Sequence, residues 1–405
     1  MIIKDILGVI YAPHKAFKKI VENPKYLAVA IIIVLFVALQ TAYYYNYYSK
    51  VNYEQTMPPT DQLSAFTTSN ATQWITTQGT IVTENSVDYI NQTYYGNNSL
   101  QFAISNSNSL SATLEQFGYT ANCGSDGFLN LSMSFKQVSP NVAPRSGILT
   151  LYTANGTSSY FTLDITSMLT NNLGEWNNLT IPVGTSEWQS TGSPDWSEVT
   201  GLKLNLTYQA SSDITILLQG VFFRGQYLTQ TNVLGVGTFL GYAAYSIVIQ
   251  VLVQWVILAV VSYLILKGLK APNVVWKPLF IAMGFTLMVL VITSLLALLG
   301  SFTLPTIHYP YDFPPYASLI YPDFIISGAS PSSQVAYESI VAATTTYTTI
   351  NTALTVLIYV WQVALVTFAV KAISGFSYAK SIVTAVGTVI LSVLILSLLS
   401  IIGII

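Results

Sequence analysis

Charge is what this chain has least of. Only 8% of its 405 residues are charged, 15 Lys and Arg against 17 Asp and Glu, while 52% are hydrophobic. A soluble domain carries about 25% charged residues, so the composition excludes an ordinary water-soluble enzyme. It also excludes disorder, which requires low hydrophobicity and high net charge. The formal net charge is −2 and the basic residues are scattered. With no basic stripe to displace phosphate counterions, nucleic acid is excluded as the main partner. A single cysteine, Cys123, excludes a disulfide framework, a CxxC motif and a cysteine-based zinc cluster. It reads as a small buried hydrophobe. The two histidines, His14 and His308, lie outside the polar middle of the chain, so no Ser-His-Asp set can form there.

Long apolar runs are what the chain does have. A hydrocarbon layer about 30 Å thick is crossed by roughly 20 apolar residues in a helix. Residues 26–45 meet that length without a charge, and so do uncharged stretches at 233–266, 278–300, 343–370 and 381–405. Between Lys50 and Arg224 nothing qualifies. The first run is too long for a signal-peptide core and no A-x-A site follows it, so it reads as a retained anchor. The expected organisation is an interfacial segment over 1–25, a first span over 26–47, a linker over 48–64 and a β-domain over 65–227. Four further spans follow at about 238–266, 278–300, 346–370 and 381–405.

Basic residues beside the spans set orientation. Lys4, Lys15, Lys18, Lys19 and Lys25 precede the first span; Lys267, Lys270 and Lys277 follow the second; Lys371 and Lys380 follow the fourth. The outer connection 301–342 has no Lys or Arg. These positions predict a multi-pass protein of the cell membrane with a cytoplasmic N-terminus, and with residues 48–232 and the C-terminus extracellular. The bilayer is then its first partner. In the tail, Phe17, Ile20 and Val21 fall on one helical face with Lys15, Lys18 and Lys19 beside them, a pattern suited to the membrane interface. None of the five spans contains an ionisable residue, unlike the spans of ion-coupled carriers. Gln250 and Gln254 stand four apart on one face of the second span and read as interhelical contacts or, alternatively, as part of a substrate path. The 301–342 connection carries Pro305, Pro310, Pro314, Pro315, Pro322 and Pro331 among aromatic residues, and reads as an irregular cap.

Residues 65–227 show short alternating segments separated by turn signals, at 79–83, 99–104, 111–116, 128–135, 148–153, 160–165, 178–182, 202–208 and 214–224. Leu129, Leu131, Met133 and Phe135 alternate, as do Leu202, Leu204 and Leu206, which predicts antiparallel sheets with one buried face. Sequons at Asn70, Asn91, Asn97, Asn130, Asn155, Asn178 and Asn205 are confined to this region and mark candidate glycosylation sites. Trp188 and Trp196 are candidate sugar-stacking residues. Eight carboxylates, Glu84, Glu115, Asp164, Glu175, Glu187, Asp195, Glu198 and Asp213, leave a hydrolytic pair open.

Two resemblances follow from motifs. The stretches YGNNSLQF from Tyr95, WNNLTIPVGT from Trp176 and ITILLQGVFFRG from Ile214 resemble galactose-binding-like jelly rolls. Such modules often bind carbohydrate and in some cases hold a structural calcium; the acidic residue usual before the final strand is Gln219 here. The motif YAPHKAFKKIVENPKY from Tyr11 resembles the N-terminal signature of prokaryotic Yip-type domains, in the broad family of Ypt/Rab-interacting proteins. Pro13, Ala16, Phe17, Ile20 and Pro24 match it, and the long polar insertion departs from it.

Together these observations predict a five-helix transmembrane bundle carrying an extracellular all-β jelly-roll sandwich. The expected role is a non-enzymatic surface scaffold that presents a glycosylated domain to carbohydrate or a neighbouring envelope protein, with no cofactor beyond that calcium. A transport accessory or channel is the alternative, and a membrane-anchored glycan-processing enzyme the third. Cysteines introduced at Lys19 or Lys270 should resist an impermeant thiol reagent in intact cells while one at Tyr316 reacts; reaction at Lys270 contradicts the orientation.

Overall fold

The computed structural model describes residues 2–64, 71–91, 95–154, 156–170, 173–272, 274–312 and 331–402. The expectations for Asn70, Asn155 and residues 313–330 of the aromatic-proline connection fall outside them. In chain order the first elements are α1 (Ile2–Tyr11), α2 (Pro13–Glu22), α3 (Tyr26–Tyr48), β1 (Val51–Met57), β2 (Ile75–Thr76), β3 (Ile81–Asn85), β4 (Ser99–Leu114) and β5 (Asn130–Ser139). Then come β6 (Ser146–Thr153), β7 (Gly156–Asp164), α4 (Thr166–Leu169), β8 (Asn177–Pro182), β9 (Gln189–Thr191) and β10 (Val199–Thr229). The rest are α5 (Gln230–Leu234), α6 (Val236–Gly268), α7 (Trp276–Thr286), α8 (Met288–Ser301), β11 (Ile307–Tyr309), α9 (Pro331–Ser374) and α10 (Tyr378–Ile401). They form two compact units, one of residues 1–52, 229–307 and 337–405, the other of 53–228 and 308–336.

The helical unit contains five helices long and apolar enough to cross a membrane: Tyr26–Tyr48, Val236–Gly268, Trp276–Ser301, Tyr337–Ser374 and Tyr378–Ile401. The third is two helices, α7 and α8, which meet at Leu287. There the backbone tightens, with Leu287 N–H donating to the Gly284 carbonyl at 3.2 Å. Its first half lies deep in the core because Gly284 leaves room for neighbours. A Cβ at Gly284 would stand 2.5 Å from the Val29 side chain of α3 and 3.0 Å from the Trp255 ring of α6. Trp255 in turn stacks on Phe280 at 4.2 Å and donates its indole N–H to the Phe280 carbonyl at 2.8 Å.

Two sequence expectations differ here. α9 starts at Pro331, well before the expected 346, because proline is tolerated in a first helical turn. In the threonine-rich stretch that follows, the hydroxyls find acceptors on their own helix: Thr344, Thr345 and Thr349 donate to the carbonyls of Ile340, Val341 and Thr345 at 2.6–2.8 Å. The tail also differs from an interfacial segment. Pro13 opens α2, and Ala16, Phe17 and Ile20 are buried in the helical core together with Ile6 and Val9 of α1. Their apolar face is covered by protein, with Lys15, Lys18 and Lys19 outward, and Pro24 follows the end of α2.

The β unit is organised by one ladder. β4 and β10 pair antiparallel from Leu202 opposite Leu114 to Leu218 opposite Leu100. What the sequence suggests as four short strands is two long ones, irregular only around Ser212, where the register shifts. On either side of that bulge β10 changes its second neighbour, from β6 over Val199–Thr207 to β5 over Thr215–Arg224. β7 and β9 extend the first half, β8 and β3 the second. A bulge bends a strand. The two halves thereby share one core, with Leu110, Leu114, Leu149, Leu202, Leu204 and Leu206 from one and Leu100, Phe102, Leu131, Phe135, Ile216 and Leu218 from the other. Leu131, Met133 and Phe135 are buried as expected, but Ser132 and Ser134 between them are buried too, so this strand is covered on both faces, and Leu129 precedes it and is exposed.

The second half of β10 is buried on both faces. Behind Phe222 lies a small core of Leu63, Tyr95 and Tyr311, so part of the stretch expected as a linker, and of the aromatic connection, belongs to this unit. Beside it the Arg224 guanidinium donates to Glu54 Oε1 at 3.1 Å and lies 5.1 Å over the Tyr311 ring. Glu54, with 1% of its side chain exposed, also accepts from the Tyr311 backbone N–H at 3.1 Å. Burial works against the Arg224 charge, but Glu54 beside it more than offsets this and raises the pKa. Removing one partner of such a pair strands the other. Arg224→Ala should therefore destabilise the β unit by about 3–5 kcal/mol in a denaturation experiment; a loss below about 1 kcal/mol, the worth of an exposed pair, contradicts this assignment.

Candidate functional site

A polar recess of the β unit lies at the bend in the long ladder. Asp213 Oδ1 accepts the backbone N–H of Asn106 at 3.0 Å, and Asn106 sits at φ +50°, the left-handed region that asparagine tolerates. Across from it, Ser111 N–H donates to Thr77 Oγ1 at 2.9 Å and Thr77 N–H to the Ser111 carbonyl at 3.1 Å. This fixes the turn Thr77–Gly79 against β4. The groove between them has a volume of about 530 Å³ and is lined by Gln78, Ile81, Asn106, Asp213 and Thr215 among others. Gln78, Asn106 and Asp213 are exposed, and Ile81 presents 65% of its surface. The site thus offers amide donors and acceptors, hydroxyls, one carboxylate and an apolar patch, a set that can bond several hydroxyl groups of a neutral ligand. Nothing in the sequence flagged it, because its residues gather from three separated segments around a bulge.

The tryptophans are placed differently from the expectation. Trp188 is buried, donates its indole N–H to the Pro182 carbonyl at 2.8 Å and meets Trp196 edge-on at 5.6 Å. Trp196 is half-buried and stacks on Phe161 at 3.8 Å with the rings 9° from parallel. One face of Trp196 is therefore occupied by the domain itself and Trp188 is inside it, as barrel-end packing rather than a stacking platform. Cys123 is buried as expected, and burial pushes its thiol up to about 12.

Two of the candidate carboxylates do local structural tasks. Asp195 caps a short turn by accepting from Ser197 N–H at 2.8 Å, and Asp164 accepts from Thr166 N–H at 2.9 Å. These hydrogen bonds hold both carboxyls below the usual range, opposite to what a general acid at neutral pH requires. Gln219 is fully buried and pins the preceding loop: its amide donates to the carbonyls of Ile90 and Tyr95 at 3.2 Å and accepts from Ile90 N–H at 2.6 Å. Among the described residues no three His, Cys, Asp or Glu side chains converge.

Of the sequons, Asn91, Asn97 and Asn178 are exposed, whereas Asn130 and Asn205 are half-buried within β5 and β10.

No family model matches the chain, and no curated protein matches it. Among solved structures it is similar to a β-1,2-glucanase from Parabacteroides distasonis, with 17% identity over 37% of this chain and a TM-score of 0.28. The chain covers 22% of that enzyme's length. It is also similar to a family 11 carbohydrate-binding module from Clostridium thermocellum in complex with a β-1,3-1,4-mixed-linked tetrasaccharide, with 12% identity, 43% of this chain, 95% of that one and a TM-score of 0.27. A family 30 carbohydrate-binding module gives 12% identity, 38% and 82% coverage and a TM-score of 0.26. At these TM-scores the likenesses carry no argument about ligand or activity.

Two outcomes follow from the placements. Trp188→Ala should lower β-unit stability by about 3–5 kcal/mol, as for a buried aromatic; an unchanged melt contradicts core packing. In a glycosylating host, peptide mass spectrometry should find higher occupancy at Asn97 and Asn178 than at Asn130 and Asn205, and the reverse order contradicts the exposures.

Proposed function

We propose that this chain is a membrane-anchored scaffold whose helical unit sits in a bilayer and whose β unit, outside the cell, binds carbohydrate. The membrane reading rests on one observation, the inverted polarity of α10. Val383, Ile390, Leu394 and Leu398 are 54–72% exposed, while Ser381, Thr388 and Ser392 are at most 3% exposed. A helix in water places these residue types the other way round. Small hydroxyl residues inward and large aliphatic ones outward suit helices that pack closely and face hydrocarbon. The exposed Leu27, Val34, Leu264 and Val360 extend the same surface over three more helices. Hydrocarbon contact gives these groups an environment; water would not.

The carbohydrate reading rests on the groove at the ladder bend. A neutral sugar presents hydroxyls in several directions and one less polar face, which the amides of Gln78 and Asn106, the hydroxyls and the Ile81 patch complement. The jelly-roll architecture suggested by the sequence fits the bent ladder, and in it this groove takes the role that the two tryptophans do not fill. The five-span count and the tail motif of Yip-type domains remain part of the same proposal. Full-length protein in nanodiscs should bind neutral oligosaccharides on a glycan array. Gln78→Ala or Ile81→Ala should weaken that binding about tenfold, roughly 1.4 kcal/mol, with the melt unchanged. Absence of binding to every glycan, or binding untouched by both variants, contradicts the assignment.

A further inference from the structure

The helical unit has a recess of about 330 Å³, open to the surface, between α3, α6, α8 and α9, lined by Gln40, Tyr43, Gln254, Thr293, Asn351 and Thr355 among others. Gln250 and Gln254 also line an adjoining recess of about 530 Å³ between α6 and α10, next to Ser246, Ser397 and Ser400. No ionisable side chain other than tyrosine lines either space. The wall is nonetheless polar, and part of its hydrogen-bonding capacity is unused. Gln40 Oε1 accepts from Ser294 Oγ at 2.7 Å, which leaves its amide hydrogens without a protein partner among the described residues. The Gln250 and Gln254 side chains make no hydrogen bond within those residues either. One turn further along α9, on the face that carries Asn351, Thr355 and Ile358, Gln362 donates to Thr286 Oγ1 at 3.2 Å while its own carbonyl oxygen is buried without a partner.

Gln40 and Gln254 are half-buried and Gln250 is exposed on the wall of this space, and a polar group at membrane depth needs a partner. Interhelical pairing, the simplest use of Gln250 and Gln254, is not what the structure shows. Elsewhere in the bundle a larger recess of about 840 Å³ between α3 and α6, reaching Tyr26 and Trp255, is lined almost wholly by apolar side chains such as Ala30, Ile33, Val37 and Leu252. The space at Gln254 is thus set apart by its polar lining, not by its size.

We propose that this pocket is a binding site for a small neutral solute rich in hydroxyl groups, of polyol size. Its volume holds roughly ten waters by liquid density, enough for a molecule of a few carbons with its hydroxyls. Its amides and hydroxyls donate and accept, and the lack of charge selects against ions. The inference is independent of sugar binding by the β unit, which uses different residues.

The test uses the full chain in proteoliposomes, with glycerol and sorbitol as probes. The native Cys123 is buried, with its thiol pushed up to about 12, and stays silent towards a small neutral water-soluble thiol reagent. Thr355→Cys should react, and either polyol should slow the reaction several-fold. Ser86→Cys, exposed on the β unit, should react at a rate that the polyols leave unchanged, and Val360→Cys, on the outward face of α9, should not react. Adding Gln254→Leu to Thr355→Cys should abolish the polyol protection while leaving the cysteine reactive. A Thr355→Cys protein that does not react has a dry or covered pocket and overturns the proposal. A reactive one unprotected by either polyol, or protected equally with Gln254→Leu, overturns it as well.

Discussion

A buried polar group without a hydrogen-bond partner is costly to a folded chain, and an unpaired buried charge costs still more. In most proteins charged side chains in water relieve part of that demand, but this one has only 8% charged residues. Neutral groups must meet it instead, and the structure shows how. In the helical unit, Thr367, Ser374 and Thr384 turn back on their own helices, each donating to the carbonyl four residues earlier at 2.7–2.8 Å. Asn46 donates to Ser301 at 2.7 Å, and Lys50 spreads its three hydrogens over the carbonyls of Ser301, Phe302 and Leu304 at 2.7–3.0 Å. In the β unit the backbone satisfies itself along the β4–β10 ladder, and a single amide, Gln219, closes the loop that covers it. Among the described residues the economy is incomplete: buried oxygens of Thr41, Gln362, Ser381, Thr388 and Ser392 in the helical unit, and of Thr56, Thr80 and Ser212 in the β unit, have no partner. For the less buried amides around Gln254 the proposed partner is a ligand.

The same rule explains how charge is used when it appears. Glu54 and Arg224 form the one extensively buried ion pair among the described residues, and it is surrounded by further donors and an aromatic ring. A buried pair is weak evidence for stability but strong evidence for register. Here it fixes residues 54, 224 and 311, far apart in sequence, onto one side of the second half of β10. The other pairs, Lys19 with Asp5 and Lys136 with Asp88, are more exposed and matter less.

The elements set by local pattern were the most legible in the sequence. Five apolar runs became five long helices, and alternation at Leu202, Leu204, Leu206 and at Leu131, Met133, Phe135 became buried strand faces. Signals that depend on distant partners were not legible. The join of 99–104 to 111–116 into one strand is made by β10, not by propensity in the Ser-Asn stretch between them. Trp188 and Trp196 look alike in sequence as exposed turn aromatics; only Phe161 and Pro182 show that they are packing residues. The break at Leu287 and the start of α9 at Pro331 hinge on tertiary context, which hydropathy does not register. The groove at Asp213 and the pocket at Gln254 are assembled from residues that are individually ordinary.

The central claim is that two separately organised units divide the chain, one satisfied in hydrocarbon and one in water. Hydrogen–deuterium exchange of the full chain in lipid nanodiscs under increasing denaturant tests it directly. The account predicts that amides of β4, β5, β6 and β10 lose protection together as one cooperative unit. Amides in the middle of α3, α7, α8 and α10 should stay protected after that transition. Helix and strand amides losing protection in a single common step, or helix amides exchanging freely before the strands, would contradict it.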